Sequence, residues 1–290
     1  MVEMRRRRDG FGADIAGDAF NTAAHLADLG RDVVHVQDLA NDVFAEQFAA
    51  AFNARNVRRL GRLLPHGTNG LYIVVTGETG EHHFQYHRAG SAAGGTLLGR
   101  VGAIRKAMES AELIYLTGVT LSTCSAPREL IDLLATSSTP IAVGLNIRSG
   151  LHRRVDDAIL PVDRDDELGL LRAAIDHATV VFGSAEELEL LGEPLVGGTA
   201  RPDERPLVIA TSGPEGVRSF GLGADERWVP PKAISITDAS GAGDALAAGF
   251  LDAWLSGHTV RDCLAAGGQR SLLALAHAGA LPPPTQAPQG

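Results

Sequence analysis

Apolar positions along the 290-residue chain follow two rhythms, one helical and one of short strands. Ala23, Ala24, Leu26 and Ala27 recur at helical spacing and Gly30 stops them, which predicts a helix over 21–29. Val33–Val36 reads as a short strand. Phe44, Phe48 and Phe52 fall four apart, on one face of a helix over 42–56. Gly70–Thr76 and Glu81–Arg88 flank the turn Gly77-Glu78-Thr79-Gly80 and predict a β-hairpin. After it, helices at 100–111, 126–135 and 166–176 lead to strands at 113–116, 141–143 and 179–182. Ser184 and Glu187 form a capping box that opens another helix. A strand at 207–210 and a β segment at 217–222 follow. Two helices close the chain: one over 242–256, the next capped by Thr259 with Asp262 as its box partner. The tail from Pro282 reads as loose. Strands alternating with helices of about 10–15 residues predict an α/β protein, a mostly parallel sheet with helices on both faces. An eight-unit barrel is the rival, and the early hairpin and closing helix pair count against it. No internal repeat or linker divides residues 1–290, which read as one domain.

Composition narrows the chemistry. There are 35 acidic and 26 basic residues, a net charge of −9, so the basic footprint of a nucleic-acid binder is missing. A local cationic pocket for a small anion remains possible. The lysines are Lys106 and Lys232, and neither follows a glycine-rich run, so the phosphate loop of P-loop NTPases is absent. Cys124 and Cys263 stand far apart, with no zinc spacing, as suits a reducing cytoplasm. The basic start, Arg5–Arg8, runs into Asp9-Gly10-Phe11-Gly12 rather than an apolar core, so no signal peptide is read there. No apolar run approaches the roughly 18–20 residues of a membrane span.

One segment carries chemistry. In Asp238-Ala239-Ser240-Gly241-Ala242-Gly243-Asp244-Ala245 two glycines let backbone amides crowd together at a helix start, an anion site assisted by the helix dipole. Asp244 would stand beside that anion. The pattern suits phosphoryl transfer, in which amides stabilise the moving charge and a carboxylate takes a proton from the attacking hydroxyl. On spacing alone, a tight turn with an aspartate in the first helical turn fits equally. A dinucleotide fingerprint lacks its third glycine and its second strand.

The same segment resembles the C-terminal signature of the ribokinase-like (PfkB-type) carbohydrate kinases. Gly17-Asp18-Ala19-Phe20-Asn21-Thr22-Ala23 resembles their N-terminal signature, and the two motifs stand in the family's order at the ends of the chain. Within the family the chain most resembles 2-keto-3-deoxygluconate kinases, through Thr68-Asn69-Gly70-Leu71-Tyr72, Phe84-Gln85-Tyr86-His87-Arg88 and Ser91-Ala92-Ala93. The resemblance implies a three-layer ribokinase-like fold with a β lid at about 68–90, ATP and Mg2+ as cofactors, a small sugar acid as acceptor and a homodimer formed through the lid. It implies Asp244 as base and Gly241, Ala242 and Gly243 as the phosphate cradle. Gly17, Asp18, Asn21, Tyr72, Tyr86, Arg88 and Arg148 would meet the substrate. Alternation agrees, because Phe84, Tyr86 and Arg88 share one strand face, and an arginine fork suits a carboxylate. Arg148 lies in Asn146-Ile147-Arg148, similar to a D-x-N-x-R motif. Ser184 and Glu187 match a position linked to nucleotide and magnesium, though a capping box explains them too. Thr211, Gly213 and Gly216 resemble a turn near the nucleotide, where a plain β-turn reads as well.

Departures accompany the likeness. Members of the family open with a β-strand before the first signature; here Arg5–Arg8 take its place, so a central strand and some substrate contacts are expected to be missing. Ala16, Gly144, Thr211 and Ala239 replace a glycine, an aspartate, a lysine and a threonine of the usual motifs. Two other readings stay open: a kinase for another sugar such as fructose or ribose, and a degenerate sugar-binding relative. Glu81, His83 and His87 share a strand face, but at about 3.3 Å per residue the outer two lie about 20 Å apart, too far for one metal ion. Ser122, Ser125 and Ser212 lack a nucleophile-elbow setting.

Overall fold

A computed structural model describes residues 1–7, 10–76, 82–155, 158–192, 206–221, 225–232 and 236–284. The predicted turn at 77–80, Glu81 and Leu222 lie outside them. In chain order come β1 (Val2–Arg7), β2 (Gly10–Ile15), α1 (Asp18–Asp28), β3 (Val34–Val36), β4 (Leu39–Ala40), α2 (Ala45–Ala54), β5 (Arg58–Leu60), β6 (Leu63–Leu64), β7 (Leu71–Thr76) and β8 (His82–His87). Next are α3 (Val101–Glu109), β9 (Ile114–Thr117), α4 (Gly118–Thr123), α5 (Pro127–Ala135), β10 (Ile141–Gly144), β11 (His152–Val155), β12 (Ala158–Pro161) and α6 (Arg164–Ile175). The chain ends with β13 (Val180–Ser184), α7 (Ala185–Leu191), β14 (Leu207–Thr211), β15 (Val217–Phe220), β16 (Arg227–Trp228), α8 (Ala242–Leu255) and α9 (Val260–Leu275).

The central sheet has the order β16-β15-β14-β13-β10-β9. Its four strands β9, β10, β13 and β14 are parallel, and β15 and β16 close one edge antiparallel. Alternate residues of each strand feed opposite faces. Ile141, Val143, Val181 and Val208 pack under α4–α7 with Leu121, Leu134, Leu171 and Leu188. Ala142, Val180, Phe182, Leu207 and Ile209 pack under α1, α8 and α9 with Leu26, Phe250, Leu251 and Leu264. Both faces are therefore dry, as a parallel sheet requires, and the three-layer α/β expectation holds. An open sheet with an antiparallel edge excludes the barrel.

A second sheet has the order β2-β1-β7-β8. Among the described residues the central sheet holds no strand from the chain start, as expected, but the start adds a strand to the second sheet that the sequence reading did not name. Residues 2–7 form a strand, pairing antiparallel with β2 and parallel with β7. Val2 and Met4 face an apolar cluster with Phe20, Phe48 and Phe52, while Glu3 and Arg5 point the other way. The small β layer is therefore four-stranded, not a lone hairpin. The predicted looseness from Pro282 is also corrected at its first residue: Pro282 is buried, and its carbonyl accepts a hydrogen bond from Arg55 Nη2.

Candidate active site

The carboxyl ends of parallel strands are where open α/β sheets bind ligands, and the candidate residues gather there. Ser184 ends β13 beside Thr211, which ends β14, and the two are register partners. Asn146 and Arg148 follow β10. From the opposite layer α1 and α8 bring their N-termini to the same place.

Gly241 is the N-cap of α8, with φ +74°. A Cβ there would lie 2.3 Å from the Ala280 carbonyl oxygen, so this corner of the cradle needs glycine in both conformation and space. Gly243 differs: a Cβ on it would meet nothing within 4 Å. The amides of Gly243 and Asp244 sit in the first turn, where no intrahelical acceptor exists, at the positive end of the helix dipole.

Asp244 is partly buried, and Asn21 Nδ2 donates to its Oδ2 at 2.8 Å. Burial, with help from the Asp18 charge, pushes its pKa up to about 7, against the pull of Asn21, Arg148 and Asn146. The carboxyl is thus poised near neutrality, as a general base should be. Gly17, at φ +139°, is the N-cap of α1, and its amide donates to Asn21 Oδ1 at 3.2 Å. Thr22 Oγ1 reaches the Asp18 carbonyl at 3.2 Å, and Asn146 Nδ2 reaches Asp18 Oδ2 at 3.4 Å. Asp18, Asn21 and Asp244 therefore form one cluster, joined by Asn146 at φ +39°.

The residues expected to meet substrate divide into two kinds. Tyr72 and Tyr86 are cross-strand partners, their ring centroids 6.1 Å apart, and Phe84 stacks on Tyr86. Tyr72, however, is buried and gives its hydroxyl hydrogen to Glu3 Oε2 at 2.5 Å. Burial and Glu3 hold that phenol far above its ordinary pKa. Arg88 follows β8, with Nη2 3.3 Å from Thr123 Oγ1; its buried Nε has no partner among the described residues. Arg148 is half exposed, 3.6 Å from Glu187.

Glu187 forms the predicted capping box, accepting from the Ser184 amide at 2.9 Å while Ser184 Oγ accepts from the Glu187 amide. Its other oxygen accepts from the Ile147 amide at 2.8 Å. Both oxygens are thus engaged, and no three His, Cys, Asp or Glu side chains cluster as metal ligands among the described residues. That donor set fits Mg2+ held mainly by phosphates and water, the ion's usual manner in nucleotide sites. The turn 211–216 closes through Ser212 N to Gly216 O at 2.9 Å. Gly216 is required there, because a Cβ would lie 2.1 Å from the Trp228 carbonyl oxygen. Beside the turn lies an open hollow of about 210 Å³ lined by Ser212, Glu215, Arg218 and Arg227.

Sequence reasoning passed over three residues. Asp238 is buried, accepts from the Ser240 and Gly279 amides at 2.9 Å each, and pairs with Arg5 at 2.7 Å. Burial alone would raise its pKa, but these partners together hold it below the usual carboxylate range. Arg5 also meets Glu3 at 3.0 Å. The alternation of Val2, Glu3, Met4 and Arg5 is the strand signal that could have revealed this. Tyr115 is the third: its hydroxyl lies 2.6 Å from where a Cβ on Gly144 would be. Where the motif would carry an aspartate at 144, a phenol from the neighbouring strand fills the side-chain place.

An anion cradle at a helix N-terminus, with a near-neutral carboxylate beside it at the ends of a parallel sheet, defines a phosphotransferase of the carbohydrate-kinase class. The chain belongs to the pfkB family of carbohydrate kinases, which it matches over residues 3–286. It is 24% identical over 312 aligned residues to a 2-dehydro-3-deoxygluconokinase of Escherichia coli (strain K12), covering 98% of this chain and 94% of that one. Its structure resembles a 2-dehydro-3-deoxygluconokinase from Thermotoga maritima with a TM-score of 0.77 at 20% identity, over 97% and 92% of the two chains. It also resembles a fructokinase from Vibrio cholerae O395 with fructose, ADP and calcium bound, with a TM-score of 0.76 at 18% identity and the same coverage. Kinase chemistry entails a nucleotide and a sugar acceptor, and no helix among the described residues is long and apolar enough to cross a membrane.

Proposed function

We propose that this carbohydrate kinase phosphorylates a small keto sugar acid, 2-keto-3-deoxygluconate, at its C6 hydroxyl, with ATP as donor. The observation that carries the mechanism is Asp244: a carboxyl pushed up to about 7, held by Asn21 at the mouth of the glycine cradle. Asp244 takes the hydroxyl proton, the freed oxygen bonds to the γ-phosphorus, and the bond from that phosphorus to the β–γ bridging oxygen breaks, releasing ADP. The amides of Gly241, Ala242 and Gly243 stabilise the charge on the passing phosphoryl group. Thr211, Gly213, Gly216 and Ser184 border the nucleotide. Glu187 would help hold Mg2+ with the nucleotide phosphates, whose charge the ion would neutralise.

Support for an acid acceptor comes from the arginines. Arg88 has a buried Nε without a partner among the described residues, and Arg148 lies near enough for its charge to be felt at Asp244. Gly17, Asp18 and Asn21 would hold the sugar hydroxyls while Tyr86 covers the ring, backed by the buried Tyr72. The relatives named above for 2-dehydro-3-deoxygluconate fit this reading. A coupled assay of ADP release tests it with keto sugar acids, fructose and ribose as acceptors. Turnover is expected to be fastest with 2-keto-3-deoxygluconate. Faster turnover of a neutral sugar would refute the acid acceptor, and release of ADP with none of them would refute the proposal as a whole.

A further inference from the structure

We infer that Arg5 is a positioning residue that ties the lid strand β1 to the phosphate cradle and holds the cradle in register for phosphoryl transfer. The inference rests on the kinase chemistry of the site, not on which sugar accepts the phosphoryl group. Arg5 is nearly buried, with its side chain 15% exposed, and its guanidinium reaches three partners at once. Nη1 meets Asp238 Oδ2 at 2.7 Å, Nε donates to Glu3 Oε1 at 3.0 Å, and Nη2 lies 3.4 Å from Ser240 Oγ. Asp238 and Ser240 belong to the loop that sets up α8. Asp238 in turn accepts from the amides of Ser240 and Gly279. Those bonds pin Ser240, the residue before Gly241, and Gly279, the residue before Ala280, whose carbonyl leaves no room for a side chain at Gly241.

On its other side, Glu3 accepts the Tyr72 hydroxyl bond from β7, the strand paired with β1. A continuous path therefore runs from the lid aromatics through Tyr72, Glu3, Arg5 and Asp238 to the cradle. Glu3 and Asp238 are both buried carboxylates, and Arg5 is the cation between them. Its planar fork can satisfy all three partners in a fixed geometry, whereas a lysine, a single point charge, can face one of them well. The cradle therefore takes its orientation partly from the lid, and not only from the turn in which its glycines lie.

Backbone hydrogen exchange on the full chain without ligand tests this directly, using Arg5→Gln and Arg5→Lys. Arg5→Gln should speed exchange of the amides at 239–244 while leaving those of 141–144 and 180–184 in the central sheet unchanged. Arg5→Lys should fall between it and the wild type. With the acceptor that the wild type turns over best, Arg5→Gln should lose about tenfold or more in kcat, with both KM values within about threefold. Unchanged exchange at 239–244 would overturn the inference. So would equal acceleration across the central sheet, the mark of a merely stabilising arginine, and so would an unchanged kcat. Rejection of sugar acids by the wild type would count against the proposed acceptor alone, because the exchange pattern needs no substrate.

Discussion

Asp244 carries opposing demands on one side chain. Its folded pKa is about 7, against 3.8 for a free carboxyl, so folding favours its protonated form. The cost of burying its charge is absent below about pH 4 and fully present above about pH 7. Asn at this position is neutral throughout. Asp244→Asn is therefore expected to lower kcat by about 10²–10⁴, the usual contribution of a positioned base, while its Tm rises relative to wild type as pH goes from 4 to 8. A kcat near wild type would exclude the base assignment, and a Tm difference independent of pH would exclude the raised pKa. Tyr115 and Gly144 make a second residue-level case. A side chain at 144 would run into the phenol oxygen, so Gly144→Asp should cost about 1–3 kcal/mol, the usual penalty of overpacking. Adding Tyr115→Phe removes that oxygen and should restore part of the loss. Purely additive losses in a double-mutant cycle read by thermal unfolding would show that the two positions do not compete for one volume.

At the scale of elements, the two glycines that open α8 do different work. Gly241 is bound by its positive φ and by Ala280, so Gly241→Ala should displace the helix start and lower both Tm and kcat. Gly243 faces open space with ordinary helical geometry, so Gly243→Ala should keep or slightly raise Tm, by the few tenths to about 1 kcal/mol gained on replacing a helical glycine. If Gly243 lines the proposed phosphate cradle, its methyl group would crowd the docking phosphoryl group and kcat/KM for ATP should fall. Equal kinetic losses without any loss of Tm in Gly241→Ala would contradict this division. Both glycines were legible because a local motif puts them at a helix start. The central strands were legible for a similar reason, since Val143 and Val181 alternate with Ala142 and Val180 between two buried faces. Strand β1 was hidden because Arg5–Arg8 look like a solvated charge run; what buries Arg5 is Asp238, near the far end of the chain. Strands β11 and β12 were missed because their residues are largely exposed and lack apolar rhythm. Tyr115 reads as one more apolar strand residue until the adjacent strand shows a glycine within reach of its hydroxyl.

For the molecule as a whole, the cradle is backed by the C-terminal segment, and that segment is anchored on the far side. Gly279 donates to Asp238, Ala280 presses on Gly241, and the Pro282 carbonyl accepts from Arg55 at the end of α2. Arg55 pairs with Asp28 of α1 at 2.7 Å, and Asp28 also meets Arg270 of α9 at 3.2 Å. Arg270 Nε donates to His25 Nδ1 at 3.1 Å, which requires a neutral imidazole. Burial, with Arg270 adding to it, pushes His25 down to about 3, so the ring stays neutral at physiological pH. These side chains are almost fully covered, and breaking such a buried pair by removing one partner costs about 3–5 kcal/mol. Arg55→Ala should fall at the lower end, because Arg270 still faces Asp28, and the shift of the urea midpoint measures it. A cost below about 1 kcal/mol would show that the network is solvated and indifferent. The position of Pro282 adds a functional consequence. Well below its unfolding temperature, Arg55→Ala should also lower kcat, because the segment that seats Gly241 is released while Asp244 and its Asn21 bond are untouched. Loss of stability with full kcat would place the anchor outside the path that holds the cradle, leaving Arg5 as its remaining support.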